Sequence, residues 1–156
     1  MSGRIFNATV KCFEDNHWKY LWIEMAGETR LFMQVRMKNG DFLCTTSVRE
    51  DRDEFVFSTY YGLEVPAGKW QDVAEFLTRA NDNLSRGNFE LDRENGEVYF
   101  RTSGNGVGQP LNSSTIGQIV WRGLSTADRY LPRLRAVIAD DRPSAQATAL
   151  IAGTVG

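Results

Sequence analysis

The spacing of hydrophobic side chains changes along the chain between a helical period and an alternating one. Apolar residues recur every three or four positions over residues 5–13, which predicts a short amphipathic helix that ends near Asp15. The same spacing returns after Pro66 and continues over residues 70–84. Two amphipathic helices are therefore predicted, and the chain between them has the alternation that is typical of strands.

A third helical stripe occupies the last part of the chain, from Ile116 to Ile138. Ser113 or Ser114 is predicted to cap its first turn. Pro132 removes a backbone donor inside this stripe and predicts a kink or break there. Beyond Asp140 the composition becomes rich in Ala, Ser, Thr and Gly, which indicates a poorly ordered tail.

Two Asn-Gly pairs predict the hairpins of the strand region, because Asn and Gly tolerate the positive φ of a type I′ turn. A two-residue turn at residues 39–40 pairs Val35 with Cys44 and directs both toward the core. A second turn at residues 95–96 pairs Leu91 with Phe100. In both hairpins one face is predicted to be apolar and buried.

These elements predict an α+β fold with a mainly antiparallel sheet, in the order α-β-β-β-β-α-β-β-α. The helices are expected to cover one face of that sheet. Residues 1–142 are interpreted as a single domain and residues 143–156 as a flexible tail. The six consecutive charged residues at 49–54 are interpreted as a solvated loop.

Charge and composition restrict the partners of this domain. The chain has 156 residues, with 18 Lys and Arg against 20 Asp and Glu, and a net charge of −2. This balance disfavours nucleic acid and anionic membranes as partners, although four arginines give the last helix a positive side. No secretory signal or membrane span is recognised, so a cytoplasmic location with reduced thiols is expected.

Residues that could carry catalysis are few. Cys12 and His17 are close in sequence, but Cys12 lies on the apolar helix stripe, and a buried inert thiol is the favoured interpretation. Cys44 points into the predicted core and receives the same interpretation. The chain has one His and two Cys, and the acidic run at 50–54 lacks the pattern of a calcium loop. No catalytic residue, metal site or cofactor is predicted, and the protein is not expected to be an enzyme.

The glycine-rich segment before the last helix provides an alternative. Gly104, Gly106 and Gly108 resemble a phosphate cradle, although the segment has no Lys-Ser/Thr ending and does not follow the first strand of a βαβ unit. A small-molecule or phosphate-binding enzyme that uses this loop with Arg101 or Arg122 is the alternative hypothesis. A flexible connector is the favoured interpretation of the same residues.

The outer face of the predicted sheet carries hydrophobic side chains that a monomer would not place in water. Phe32 and Leu43 lie diagonally across the first hairpin, and Val56 is on the next strand. Exposed apolar neighbours on adjacent strands form a patch, and such patches mark partner surfaces. Phe32, Leu43 and Val56 are therefore the candidate partner-binding or dimer surface.

Several stretches of the sequence resemble a known family. The segment VAEFLTRANDNLSRGNFELDRENGEVYFRTS from Val73, the helix sequence DRYLPRL and the opening IFNATVKCFEDNHW are similar to the YbjN-like domain in its cyanobacterial style. The resemblance covers about residues 4 to 140. The chain departs from the family pattern in the glycine-rich loop at 104–109 and in its Ala/Thr-rich tail.

The resemblance implies a fold similar to that of type III secretion chaperones, which are often dimeric. The family is labelled a sensory transduction regulator and has no established catalytic motif to transfer. Together with the patch, it favours a non-enzymatic, cytoplasmic protein-interaction domain that acts as a homodimer and binds another protein as client or regulatory target.

Overall fold

The structure, a computed structural model, describes residues 3–140, and the predicted tail at 143–156 lies outside this range. Its elements follow the predicted order. They are α1 (Arg4–Asp15), β1 (Tyr20–Met25), β2 (Glu28–Arg36), β3 (Asp41–Arg49), β4 (Glu54–Glu64), α2 (Trp70–Asp82), β5 (Asn88–Asp92), β6 (Glu97–Asn105) and α3 (Ser113–Ala139).

The six strands form one antiparallel sheet in the order β1-β2-β3-β4-β6-β5. The long helix α3 packs on β4 and β6 and contacts α1 and α2 on its two sides. All three helices lie on the same face of the sheet, which we call the inner face. The α+β class and the antiparallel sheet are confirmed.

The core lies between the inner face and the helices, because alternate residues of each strand point the same way. These side chains and the apolar stripes of the helices are almost inaccessible to water. The strands contribute Leu31, Met33, Val35, Phe42, Cys44, Val48, Phe55, Phe57, Val98 and Phe100. From the helices come Ile5, Phe13, Val73, Leu77, Ile116, Val120, Leu124, Leu131 and Leu134.

The first hairpin turns one residue earlier than predicted. The Met37 N–H donates to the Gly40 carbonyl at 2.9 Å, and Val35 pairs with Phe42 instead of Cys44. The prediction of a type I′ turn at residues 39–40 is wrong, because neither residue has a positive φ. Moving the turn by one residue displaces each pairing by two positions, so every side chain keeps its predicted face.

A contact with α3 explains this turn. The Asn39 backbone N–H donates to Asp128 Oδ1 at 2.7 Å, and its side-chain amide donates to the Asp128 carbonyl at 2.9 Å. Arg135 adds a hydrogen bond to the Asn39 carbonyl at 3.3 Å. Asn39 therefore serves as an anchor between hairpin and helix, and this role takes precedence over its local turn preference.

The same contact explains why α3 continues through Pro132 without a break, where a kink or break was predicted. Proline at position 132 cannot donate to the carbonyl four residues earlier, which is that of Asp128. The Asn39 amide occupies this carbonyl instead. Buried side chains on both sides of the proline, such as Leu131 and Leu134, hold the two halves on the sheet.

The predicted serine cap of α3 is also wrong, since the Asn112 side chain accepts from the Thr115 N–H at 2.9 Å.

The second hairpin shows the same displacement by two positions. Leu91 pairs with Val98, and Phe89 pairs with Phe100. Gly96 has a φ of +73°, whereas Asn95 does not have a positive φ, so the predicted type I′ turn is again replaced by a longer loop. The apolar face remains the buried one, with Phe100 fully inaccessible.

The charged run at residues 49–54 is not a freely solvated loop. The Glu50 carboxylate accepts hydrogen bonds from the Ile5 and Phe6 backbone N–H groups at 3.0 and 2.8 Å. Arg4 forms an ion pair with Asp53 at 2.6 Å. Because α1 has no side-chain cap of its own, Glu50 supplies one from a distant part of the chain and faces the positive end of the helix dipole.

The Asn39 contact predicts a coupled effect of two substitutions. Asn39→Ala leaves the Asp128 carbonyl without a donor and should lower the free energy of unfolding by about 1–2 kcal/mol. Pro132→Ala restores a helical N–H to this carbonyl, so Asn39→Ala should cost less in that background. Urea unfolding of the four proteins in a double-mutant cycle measures the difference. Lys38→Ala, an exposed neighbour, is the control, and equal costs of Asn39→Ala in both backgrounds would contradict the account.

Removal of the distant helix cap should also destabilise the protein. Glu50→Ala leaves two N–H groups at the start of α1 without partners, and we expect a loss of about 1–2 kcal/mol. Asp51→Ala removes an exposed charge from the same run and should change the stability by less than about 0.5 kcal/mol. Thermal unfolding followed by circular dichroism compares them, and similar midpoints for the two variants would exclude the capping role.

Candidate protein-binding surface

The face of the sheet opposite the helices, which we call the outer face, has no element over it among residues 3–140. Four of the exposed large hydrophobic side chains within residues 3–140 project outward from this face. These are Leu21 at 76%, Ile23 at 49%, Met25 at 48% and Leu43 at 47% exposure. A sheet that is covered on one side normally alternates apolar with polar residues, so this face departs from the usual pattern.

Strand register places several of these side chains next to one another. Leu21 on β1 pairs directly with Phe32 on β2, and both point outward. Leu43 on β3 pairs with Gln34, which makes Leu43 the diagonal neighbour of Phe32. Leu21, Ile23, Phe32 and Leu43 therefore form one connected surface across three strands, which we call the outer apolar patch.

A groove of about 550 Å³ runs along this patch. Leu21, Phe32 and Leu43 line its apolar part, and His17 and Lys19 border it on the segment that leads into β1. His17 adopts a positive φ of +58° in the turn between α1 and β1 and is exposed. The groove can receive an apolar side chain of a partner, with polar groups at its rim, as in the buried centre of a protein interface.

The structure brings Phe32 and Leu43 together but places Val56 in different surroundings. Val56 pairs with Ser47 on one side and Ser103 on the other. It lies in a neighbouring depression of about 380 Å³ that is mostly polar. Arg30, Arg49 and Arg101 contribute guanidinium groups to that depression, and Tyr60 stacks on Tyr99 with ring centres 4.8 Å apart.

Glu28 organises the polar depression. Its carboxylate accepts a hydrogen bond from the Ser47 hydroxyl at 2.6 Å and pairs with Arg30 at 2.8 Å and Arg49 at 3.2 Å. The Ser47 hydrogen bond and the Arg30 contact hold the pKa of Glu28 below its ordinary value of 4.5. The Glu28 side chain is only 8% exposed. Its contacts with Arg30, Ser47 and Arg49 connect β2 to β3 on the outer face.

Sequence reasoning missed Leu21 and Ile23 as members of the patch. Strand β1 has apolar residues on both faces, so its alternation does not reveal which side is buried. In the structure Trp22 points to the inner face and packs against Phe6, with ring centres 5.2 Å apart. The pairing of Leu21 with Phe32 could be found only once the β1–β2 register was known.

The glycine-rich segment does not form an open cradle. Gly104 belongs to β6 and pairs with Phe55. The Gly106 N–H donates to the Asp53 carbonyl at 3.1 Å. A Cβ atom at Gly106 would lie 1.6 Å from Asp53 Oδ2, so a carboxylate of the protein itself lies against this glycine. The negative charge of that carboxylate opposes the binding of a phosphate.

The two thiols lie in the core, as predicted. Cys12 is 4% exposed and Cys44 is inaccessible. Burial and the negative charge of Asp15 raise the pKa of Cys12. Burial raises the pKa of Cys44 to about 12. Both groups remain protonated thiols at neutral pH, which is the unreactive form.

Two further properties of the described chain bear on function. Within residues 3–140 no three His, Cys, Asp or Glu side chains are grouped so that they could hold a metal ion. In the same range no helix is both long enough and apolar enough to cross a membrane.

Comparison with known proteins identifies the class. Residues 11–136 match the model of the YbjN family, whose description is "Putative bacterial sensory transduction regulator". The match covers most of the chain, so the protein belongs to the YbjN family. No curated protein matches the chain.

Two solved structures are similar to this one. The crystal structure of YbjN from E. coli aligns with a TM-score of 0.55 and 13% identity, over 88% of this chain and 92% of that chain. The structure of the HopA1–SchA chaperone–effector complex contains a chain that aligns with a TM-score of 0.49 and 14% identity, over 80% of this chain and 89% of that chain. The alignment with E. coli YbjN supports the fold.

The Glu28 network predicts a pH dependence of stability. A carboxyl group with a lowered pKa in the folded state stabilises the protein above its unfolded pKa, and this contribution is lost as the pH falls through the folded pKa. Glu28→Gln should therefore cost about 1–2 kcal/mol at pH 7, and the difference from wild type should shrink below the ordinary pKa of 4.5. Urea unfolding over the acid range measures it. Glu94→Gln, in an exposed turn, is the control, and a Glu28→Gln cost that does not change with pH would refute the assignment.

Proposed function

We propose that this protein is a non-enzymatic protein-interaction domain of the cytoplasm, regulatory or chaperone-like in role, that acts as a homodimer. Phe32 and Leu43 belong to its partner-binding or dimer surface, together with Leu21 and Ile23, and Val56 extends this surface toward the polar depression. Another protein is the client or regulatory target. Nucleic acid and membrane are not among the proposed partners.

The observation that carries the proposal is the exposed apolar patch on an uncovered sheet face. Burial of one large aliphatic or aromatic side chain contributes about 1.5–3 kcal/mol. Leu21, Ile23 and Leu43 are each about half or more exposed, so this stabilisation is available to a partner. A contiguous apolar surface with a polar rim is the pattern of protein interfaces.

The other features of the chain agree with a binding role. Both thiols have raised pKa values and lie in the core, so neither is an activated nucleophile. The glycine-rich segment has Asp53 against it. On α3, the guanidinium carbons of Arg129 and Arg133 lie 5.4 and 5.3 Å from the centre of the Tyr130 ring. Arg135 donates a hydrogen bond to the Asn39 carbonyl. These three arginines therefore already have contacts within the protein. The family description as a regulator points in the same direction.

Charge reversal within the patch tests this function. Phe32→Glu with Leu43→Glu places two carboxylates where a partner would exclude water, and should weaken association at least 100-fold, which corresponds to about 2.7 kcal/mol. Pull-down from the native cell measures this weakened binding of another protein, and size-exclusion chromatography with light scattering measures separately whether the wild-type protein is a dimer.

A matched control separates the patch from general surface effects. Val107 is 84% exposed in the loop after β6, away from the outer face, and Val107→Glu should leave association unchanged. Circular dichroism shows whether each variant remains folded. A wild-type protein that is monomeric and recovers no partner would refute the proposal, as would a charge-reversed variant that recovers the same partners as wild type.

A further inference from the structure

The two edges of the sheet differ in how they are protected. At the β5 edge, the Asn81 side chain accepts from the Phe89 N–H at 2.7 Å and donates to the Phe89 carbonyl at 3.1 Å. Helix α2 contacts this strand, and Glu90 and Asp92 add negative charge. Such devices prevent a sheet edge from pairing with another strand.

Strand β1, at the opposite edge, has no such protection from residues 3–140. Its six residues, YLWIEM, contain no proline and one charged residue. Leu21, Trp22, Ile23 and Met25 are each more than 40% exposed. No described strand pairs with β1 on its open side. An exposed, apolar edge strand of this kind is a pairing site for another chain.

The register of β1 indicates which of its backbone groups point away from β2. A two-residue connection joins Met25 to its partner Glu28 in β2, and the closing pair of such a hairpin is a hydrogen-bonded pair. Hydrogen-bonded residues alternate along an antiparallel strand. The backbone groups of Tyr20, Trp22 and Glu24 therefore point to the open edge.

We infer that the β1 edge is the homodimer interface and that its occupant is the β1 strand of a second copy. The two strands pair antiparallel about a two-fold axis, with Trp22 opposite Trp22 of the partner subunit. This inference rests on the homodimer proposed above and assigns its site. The two sheets then join into a continuous sheet of twelve strands.

Self-complementarity supports a second copy as the occupant. In this register the Leu21 side chain faces Ile23 of the partner subunit on the outer face, so the most exposed apolar residue of β1 in each copy gains an apolar neighbour. The two Tyr20 residues face the partner's Glu24, and no like charges are opposed.

The charges at the two ends of β1 favour the antiparallel arrangement. Lys19 precedes the strand and Glu24 lies near its end, and both are exposed. Antiparallel pairing brings the basic end of each strand beside the acidic end of the other. Parallel pairing would place Lys19 beside Lys19 and Glu24 beside Glu24, which costs free energy.

This arrangement extends the outer apolar patch across the two-fold axis. Leu21 and Ile23 of both copies meet at the junction, with Phe32 and Leu43 farther out on each side. The client protein proposed above would then meet one uninterrupted apolar surface with two-fold symmetry.

Cysteine cross-linking reads both the interface and its register. Leu21→Cys and Ile23→Cys are purified separately, mixed and oxidised, because these residues are opposed across the proposed axis at a distance that permits a disulfide. The mixture should form a covalent dimer at least tenfold more than either variant alone. Trp22→Cys alone should also cross-link. The native Cys12 and Cys44 are buried and do not compete in the folded protein.

Leu43→Cys is the matched control, because it lies on the same face two strands from the edge, and it should give at most one tenth of the cross-link. If light scattering shows a dimer but the β1 cysteines cross-link no more than Leu43→Cys, the edge interface is refuted while the homodimer stands. A monomer at the highest soluble concentration refutes both. Strong cross-linking of Ile23→Cys alone would overturn the register, since it places residue 23 on the axis.

Discussion

Within residues 3–140 helices cover only one side of the sheet, and the rest of the structure follows from this constraint. Helices α1, α2 and α3 all pack on the inner face. Inward residues such as Phe57 and Phe100 are therefore inaccessible, and the outer face must meet water or another molecule. Polar side chains around Glu28 allow the part of that face formed by β3, β4 and β6 to lie in contact with water. The part nearest β1 carries apolar side chains instead, which is why function is assigned there.

A few tertiary hydrogen bonds hold the sheet and its helices in fixed positions. Asn39 fastens the β2–β3 hairpin to α3 through Asp128, and Glu50 fastens the start of α1 beside the end of β3. The hairpin that carries Phe32 and Leu43 is thereby held at its turn. A surface that is fixed before binding loses less conformational entropy when a partner docks. The anchors of the core thus also serve the proposed interaction.

The sequence predicted the element order and the inward residues because both depend on period alone. Turn positions depended on contacts between distant residues. Asn39 adopts the conformation that its hydrogen bonds with Asp128 require, and not the positive φ that it prefers in turns. Glu50, which was predicted to lie in a solvated loop, caps helix α1 instead. Both hairpin errors preserved the pattern of faces, because a displacement by two positions keeps the alternation. The patch was found in part: Phe32 and Leu43 follow from the hairpin, whereas Leu21 required the β1–β2 register.

Native-state hydrogen exchange measured at several protein concentrations tests the central claim, that another protein chain binds where the outer face meets the open β1 edge. The account predicts that the amides of Trp22 and Glu24 exchange more slowly as the concentration of purified protein rises, while those of α2, which lies at the far edge, do not change. Exchange of the β1 amides that is fast and independent of concentration, with or without extract from the native cell, would contradict it.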